Sequence, residues 1–102
     1  MSLTALTKGL LLVKEFRNLN AEMPAQQIAL FLLIARQPRA TLADLNKQLG
    51  QGKSSINRNV AALAEKYGLV EYGRDPADAR NNIAWLTPKG QNLVNTLETI
   101  LG

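Results

Sequence analysis

The chain contains no cysteine and no histidine. Without cysteine there is no disulfide framework, and a reducing compartment is the natural setting. Without either residue the sequence lacks the ligands of an ordinary structural zinc site and the commonest general base. Long hydrophobic runs are also missing. The longest, Ile28 to Ala35, is far too short to span a bilayer, and Leu10 to Val13 is too short for the core of a signal peptide. A cytoplasmic location with no membrane partner is therefore expected. No internal repeat, linker or low-complexity stretch is present, and neither sign of charge dominates: 12 Lys+Arg face 8 Asp+Glu, for a net charge of +4.

What is present suits one folded unit. The 102 residues are 46% hydrophobic and 20% charged, which predicts a single domain over residues 1–102 with a modest core, of a size that often gains stability by oligomerising. The positive charge leans toward the front and middle of the chain. Residues 41–67 carry Lys47, Lys53, Arg58 and Lys66 against Asp44 and Glu65, whereas residues 68–87 carry Arg74 and Arg80 against Glu71, Asp75 and Asp78. That distribution favours a basic folded surface over a disordered polybasic arm.

Periodicity divides the chain into helices and one hairpin. Leu3, Leu6, Leu10 and Val13 recur at helical spacing, and Leu11, Leu12, Phe16 and Leu19 widen the stripe, predicting a helix over 3–20 that packs on two sides. Pro24 suits the start of a second helix over 24–36, apolar nearly all round and stopped by Pro38. Thr41 is a good N-cap with Asp44 three residues on, opening a short helix that carries Leu42, Leu45 and Leu49 and closes at Gly50. Ile56, Val60, Leu63 and Tyr67 predict a helix over 53–67 ended by Gly68. The period then shortens. Leu69 to Tyr72 and Ile83 to Leu86 read as strands around a turn-rich Asp75-Pro76-Ala77-Asp78 loop. Thr87 and Pro88 open a last helix with Leu93, Val94, Leu97, Ile100 and Leu101 on one face.

Two short helices across a tight glycine-containing turn, followed at once by a hairpin, outline a winged helix-turn-helix: a mainly α fold with a small β-hairpin wing. In that arrangement the second helix enters the major groove of duplex DNA. Its face opposite Ile56, Val60 and Leu63 holds Ser54, Arg58 and Ala61, flanked by Ser55, Asn57 and Ala62. Arg grips guanine and Asn adenine with paired hydrogen bonds, while Ser hydroxyls, Lys53, Thr41 and helix N-terminal N–H groups suit phosphates. The plainer alternative is an amphipathic helix with a solvated polar face. In the hairpin, Arg74 and Arg80 bracket the loop, and an Arg at a wing tip suits a narrow minor groove. Here the plainer alternative is that Arg80 pairs with Asp78 or Asp75 and stiffens the turn.

The stretch Leu42-Ala-Asp-Leu-Asn-Lys-Gln-Leu-Gly50, then Ser54-Ser-Ile-Asn-Arg58, Leu63 and Gly68-Leu-Val70, resembles the DNA-binding core of the MarR family. Asp78-Ala-Arg80 followed by Leu86-Thr87 and Gly90 is similar to that family's wing pattern, Asp-x-Arg then Leu-Thr-x-x-Gly. The resemblance covers residues 24–90. It implies a dimeric transcriptional regulator with Ser54, Ser55 and Arg58 on bases or phosphates and Arg80 in the minor groove. The chain differs from the pattern at Gly52, where a capping Ser is common, and by one extra residue between Leu63 and Gly68. It is also shorter than most members, so trimmed terminal helices are expected.

Gly50-Gln-Gly52-Lys53-Ser54 superficially suggests a phosphate-binding loop, but Lys47 stands where that motif requires its first Gly, and a helix rather than a strand precedes it. The carboxylates are scattered, so no enzyme activity and no cofactor or metal are expected. Leu3, Leu6, Leu10 and Val13 with Leu93, Leu97 and Ile100 are the expected homodimer contact through the two terminal helices; the plainer alternative is that Leu10, Val13, Leu93, Leu97 and Ile100 finish the core of the monomer. The function expected is sequence-specific regulation of transcription on double-stranded DNA, as a repressor, with recognition helix 53–67 and wing 72–84. A protein-interaction module, or an architectural or replication-associated DNA binder, is the alternative. The sequence says nothing about a small-molecule effector.

Overall fold

The computed structural model describes residues 3–102. The Leu3 side chain, expected at the dimer contact, lies outside the described residues. The elements are α1 (Leu3–Leu19), α2 (Ala25–Arg36), β1 (Ala40–Thr41), α3 (Leu42–Leu49), α4 (Lys53–Glu65), β2 (Val70–Arg74), β3 (Asn82–Leu86) and α5 (Pro88–Leu101). This is the winged helix-turn-helix architecture, with one element the sequence did not announce. Strand β1 pairs antiparallel with β3, Ala40 opposite Ala84 and Thr41 opposite Ile83, so the sheet runs β1-β3-β2 rather than being a bare hairpin. Two residues are too few to show an alternating pattern, and the pairing exists only because the chain arrives beside β3. Helix α4 also stops at Glu65, short of the expected 67, because Gly68 at φ 67° turns the chain and the Leu69 N–H returns to the Leu63 carbonyl at 2.9 Å.

The core draws on every layer. Phe16 of α1 meets Phe31 of α2 edge to face at 5.8 Å between ring centroids. Leu30, Leu45, Val60, Leu63, Leu69 and Ala84 join them, all fully buried. Burying one large aliphatic or aromatic side chain contributes about 1.5–3 kcal/mol, so this cluster sets the relative positions of α2, α3, α4 and the sheet. The 3.6-residue spacing of Ile56, Val60 and Leu63 is thus what turns the remaining faces of α4 outward.

Helix α5 is locked to the foot of the hairpin by three residues. The Thr87 hydroxyl accepts from the Gly90 N–H at 3.0 Å and donates to the Gly68 carbonyl at 2.6 Å. Lys89 Nζ donates to the Tyr67 carbonyl at 2.7 Å. Gly90 packs directly on the Leu69 carbonyl, where a Cβ would collide with the oxygen. The Leu-Thr-x-x-Gly pattern is therefore a helix cap plus a close backbone approach.

Helices α1 and α5 pack on each other and lie antiparallel, with Lys8 Nζ donating to the Leu101 carbonyl at 3.2 Å, where the helix dipole favours a cation. The two-sided stripe of α1 resolves into an inner row of Leu12, Phe16 and Leu19 and an outer row of Leu6, Leu10 and Val13, with Leu10 54% exposed. Leu97, expected at the dimer contact, is 4% exposed and part of its own chain's core cluster, on a helix against which α1 packs. Leu93 and Ile100 are half-buried. Among the described residues no helix is long and apolar enough to cross a membrane.

Candidate nucleic-acid interface

The turn between α3 and α4 sets the approach of the second helix. Gly50 caps α3 in the left-handed region at φ 64°. Gly52 sits at φ 88° and ψ 155°, a region essentially restricted to glycine. A serine cap at position 52 would have to hold a conformation that side chains rarely adopt, which accounts for the departure noted in the sequence. Asn46, which sequence reasoning did not single out, fastens the turn instead: its Oδ1 accepts from the Gly52 N–H at 2.6 Å. Asn59 then pins the turn from the other side, accepting from Gln27 Nε2 at 3.4 Å and donating to Gln51 Oε1 at 2.8 Å.

With its N-cap lacking a side chain, α4 begins with uncapped N–H groups in its first turn. Around them Lys53, Ser54, Asn57 and Arg58 are exposed, and among the described residues none of these side chains has a hydrogen-bond or ion-pair partner. Ser55, Ala61 and Ala62 are half-buried at the edge of this face. A helix end that presents unpaired donors and two free cations is electrostatically prepared for an anion.

The wing stands beside it. Arg80 lies at the end of the loop with its side chain 89% exposed, and its guanidinium forms a two-pronged pair with Asp78, Nε to Oδ1 and Nη2 to Oδ2, both at 3.0 Å. The Arg80 side chain, aided by its backbone N–H, holds the Asp78 carboxyl below its ordinary value of 3.8. Of the two carboxylates considered from sequence, Asp78 is thus the partner, and it orients the guanidinium while leaving it in solvent. Asp75 has a different partner, Arg39, whose Nη2 lies 2.7 Å away.

A groove of about 390 Å³ separates the two elements, and it brings Thr41 of β1, Lys53 and Asn57 of α4 and Arg80 of the wing loop together from three places in the sequence. Asn46, Asn81 and Asn82 add polar lining that the sequence reading missed. Ser54, Ser55 and Arg58 belong to the same first turns of α4 but do not line that groove. Two of the expected contacts have other work. The Thr41 hydroxyl accepts from the Asp44 N–H at 3.1 Å and so caps α3. Arg74 Nη1 donates to the Ala79 carbonyl at 2.6 Å, spending its guanidinium on bracing the loop rather than extending from it. Trp85 is half-buried, its Nε1–H donating to Glu71 Oε2 across the strand pair at 3.0 Å.

The model of a family described as the MarR family matches residues 21–81. Among solved structures, the PcaV transcriptional regulator from Streptomyces coelicolor, crystallised with its natural ligand, is 25% identical at a TM-score of 0.66, covering 78% of this chain and 56% of that one. A crystal structure of MarR is 25% identical at a TM-score of 0.70, over 94% of this chain and 69% of that one. A mutant MarR from E. coli complexed with operator DNA superposes at a TM-score of 0.71 and 23% identity, over 97% of this chain and 69% of that one. The chain thus spans little more than half the length of PcaV. No curated protein matches it.

Proposed function

The chain belongs to the MarR family, and from that premise we propose that it regulates transcription by binding duplex DNA as a homodimer, with α4 in the major groove and the wing at the minor groove. The observation that carries the proposal is the face of α4. Lys53, Ser54, Asn57 and Arg58 surround an uncapped helix N-terminus with no partner of their own among the described residues, and Arg80 extends beside them on an oriented guanidinium. Arg58 and Asn57 are the base-reading residues of this proposal, Lys53, Ser54 and Ser55 hold phosphates, and Arg80 enters the minor groove. Thr41 and Arg74 support these elements from within.

The outer row of α1, Leu6, Leu10 and Val13, together with the half-buried Leu93 and Ile100 of α5, is the proposed two-fold contact. An apolar stripe on the outer side of a terminal helix suits burial against its own copy. In this reading residues 1–102 act as one winged-helix domain, with 24–90 on DNA and the helices at 3–20 and 88–101 joining the protomers. The dimer would present two recognition helices to half-sites about 34 Å apart on one face of the duplex. Repression by occluding a promoter, a cytoplasmic location and the absence of covalent chemistry belong to the same proposal.

The test is selection from a random duplex pool, repeated at low and moderate salt. Enrichment of an inverted repeat with half-sites one helical turn apart is the expected result. Salt-sensitive binding without an enriched motif would replace regulation with an architectural role, and no binding at low salt would leave a protein-interaction module.

A further inference from the structure

The loop at the wing tip, residues 75–81, is largely self-contained. The Asp75 N–H donates to the Asn81 carbonyl at 2.9 Å, Ala77 N–H to Asp75 Oδ1 at 2.9 Å, and Arg74 to the Ala79 carbonyl. Among the described residues, strand β1 supports the hairpin from the side only at Ile83 and Ala84, leaving the Arg74–Asn82 pair and the loop beyond it without a neighbouring strand. Among the described residues a single hydrogen-bonded tie joins loop 75–81 to anything outside the hairpin: Arg39 Nη2 to Asp75 Oδ1 at 2.7 Å.

Arg39 is itself unusual. It occupies the turn between α2 and β1 at φ 68°, and among the described residues it is the only one other than glycine with positive φ. That region is uncommon for a side chain as long as arginine, and such outliers persist where the surroundings hold them. Here the partner that holds it is visible. Asp75 is only 16% exposed and shares the same carboxylate oxygen with the loop's own turn, so the ion pair fastens the turn geometry and the wing's direction together.

We infer that Arg39 is a positioning residue for the wing, fastening loop 75–81 to the turn that leads into α3 so that Arg80 and the face of α4 are presented at one set separation. The inference rests on the proposed role of the wing at DNA. A two-stranded ribbon extending past its last neighbouring strand is only marginally ordered by itself. Tying its tip to the base of the helix-turn-helix lowers the ordering cost that would otherwise fall on binding.

Arg39→Gly is the informative variant, since glycine accepts the backbone conformation and the fold is retained while the ion pair is lost. Hydrogen exchange in the free protein is the first readout and requires no DNA. The amides of Asp75, Asp78 and Asn81 should exchange about two- to fivefold faster, the range of an exposed ion pair, with α4 amides unchanged. The second readout is affinity for the selected duplex. Arg39→Gly should weaken binding by a similar factor of about two to five, and should add nothing once Arg80→Ala is present. Unchanged wing exchange would overturn the inference even if DNA binding were established. Equal losses with and without Arg80 would also overturn it, by showing that Arg39 meets phosphate directly. Absence of all DNA binding with accelerated wing exchange would refute the function proposed above while leaving the tie intact.

Discussion

Replacing Gly90 with alanine should destabilise the protein, although the same change in an exposed helix stabilises it. An alanine Cβ at this position would overlap the Leu69 carbonyl oxygen, lie 3.1 Å from its carbon and press on Leu86 Cδ2 at 3.3 Å. The oxygen cannot simply move away, because it also accepts the Thr87 N–H at 3.1 Å. Overpacking a tight site costs about 1–3 kcal/mol, and loosening the Thr87 bond adds about 1 kcal/mol. The helix preference of alanine over glycine returns about 1 kcal/mol, so the net loss is about 1–3 kcal/mol. In urea, with a slope of about 1.5 kcal/mol/M, the unfolding midpoint should fall by about 0.7–2 M at fixed protein concentration. Gly9→Ala is the internal control. It lies in α1 with nothing within 4 Å of the added carbon, so its midpoint should rise, by up to about 0.7 M. A Gly90→Ala midpoint equal to or above that of the unchanged protein would refute the account of how α5 docks.

Arg58→Ala should cost about 1–3 kcal/mol of DNA affinity and relax preference at one base position, whereas Lys53→Ala should weaken all sequences alike and lower the salt slope by about 1; identical behaviour of the two in a binding titration would contradict the division of roles on α4. Leu10→Glu changes a residue already 54% exposed, so the fold should survive while sedimentation velocity shows dimer converting to monomer; an unchanged sedimentation coefficient would remove α1 from the contact. Asp78 should titrate below 3.8 by carboxyl NMR and return to its ordinary value in Arg80→Ala. Because its folded value is depressed, the pairing with Arg80 should be complete at neutral pH and lost only as pH falls through that lowered value, so wing order that vanished near pH 6 would speak against it.

Much of the fold was legible because its signals are local. The i, i+4, i+7 row of Ile56, Val60 and Leu63 identifies both the helix and its outward face. Thr41 and Thr87 announce helix starts that the structure realises with the hydroxyl on the expected N–H in each case. The two rows on α1 were legible as a stripe too wide for one partner. By contrast, β1 was illegible because its cause is a neighbour remote in sequence. The same holds for Leu97, whose helical spacing matches that of Leu93 and Ile100 but whose burial depends on where α1 lies.

For the candidate interface, the sequence determined which residue types stand on the exposed face of α4 and that an arginine ends the wing, since helical geometry and a short hairpin leave little freedom at those points. It also carried the family resemblance, because Asp78, Arg80, Thr87 and Gly90 are close enough in the chain to form a pattern. Tertiary structure alone decided how the cations divide: Arg80 oriented into solvent by Asp78, Arg74 turned back onto Ala79, and Arg39 reaching Asp75 across 36 positions of sequence. In the sequence Arg74 and Arg80 read as a pair bracketing the wing loop and Arg39 as one more charge on a basic chain. What separates them is which acceptor lies within about 3 Å, and that distance exists only once β1, β3 and the loop have come together.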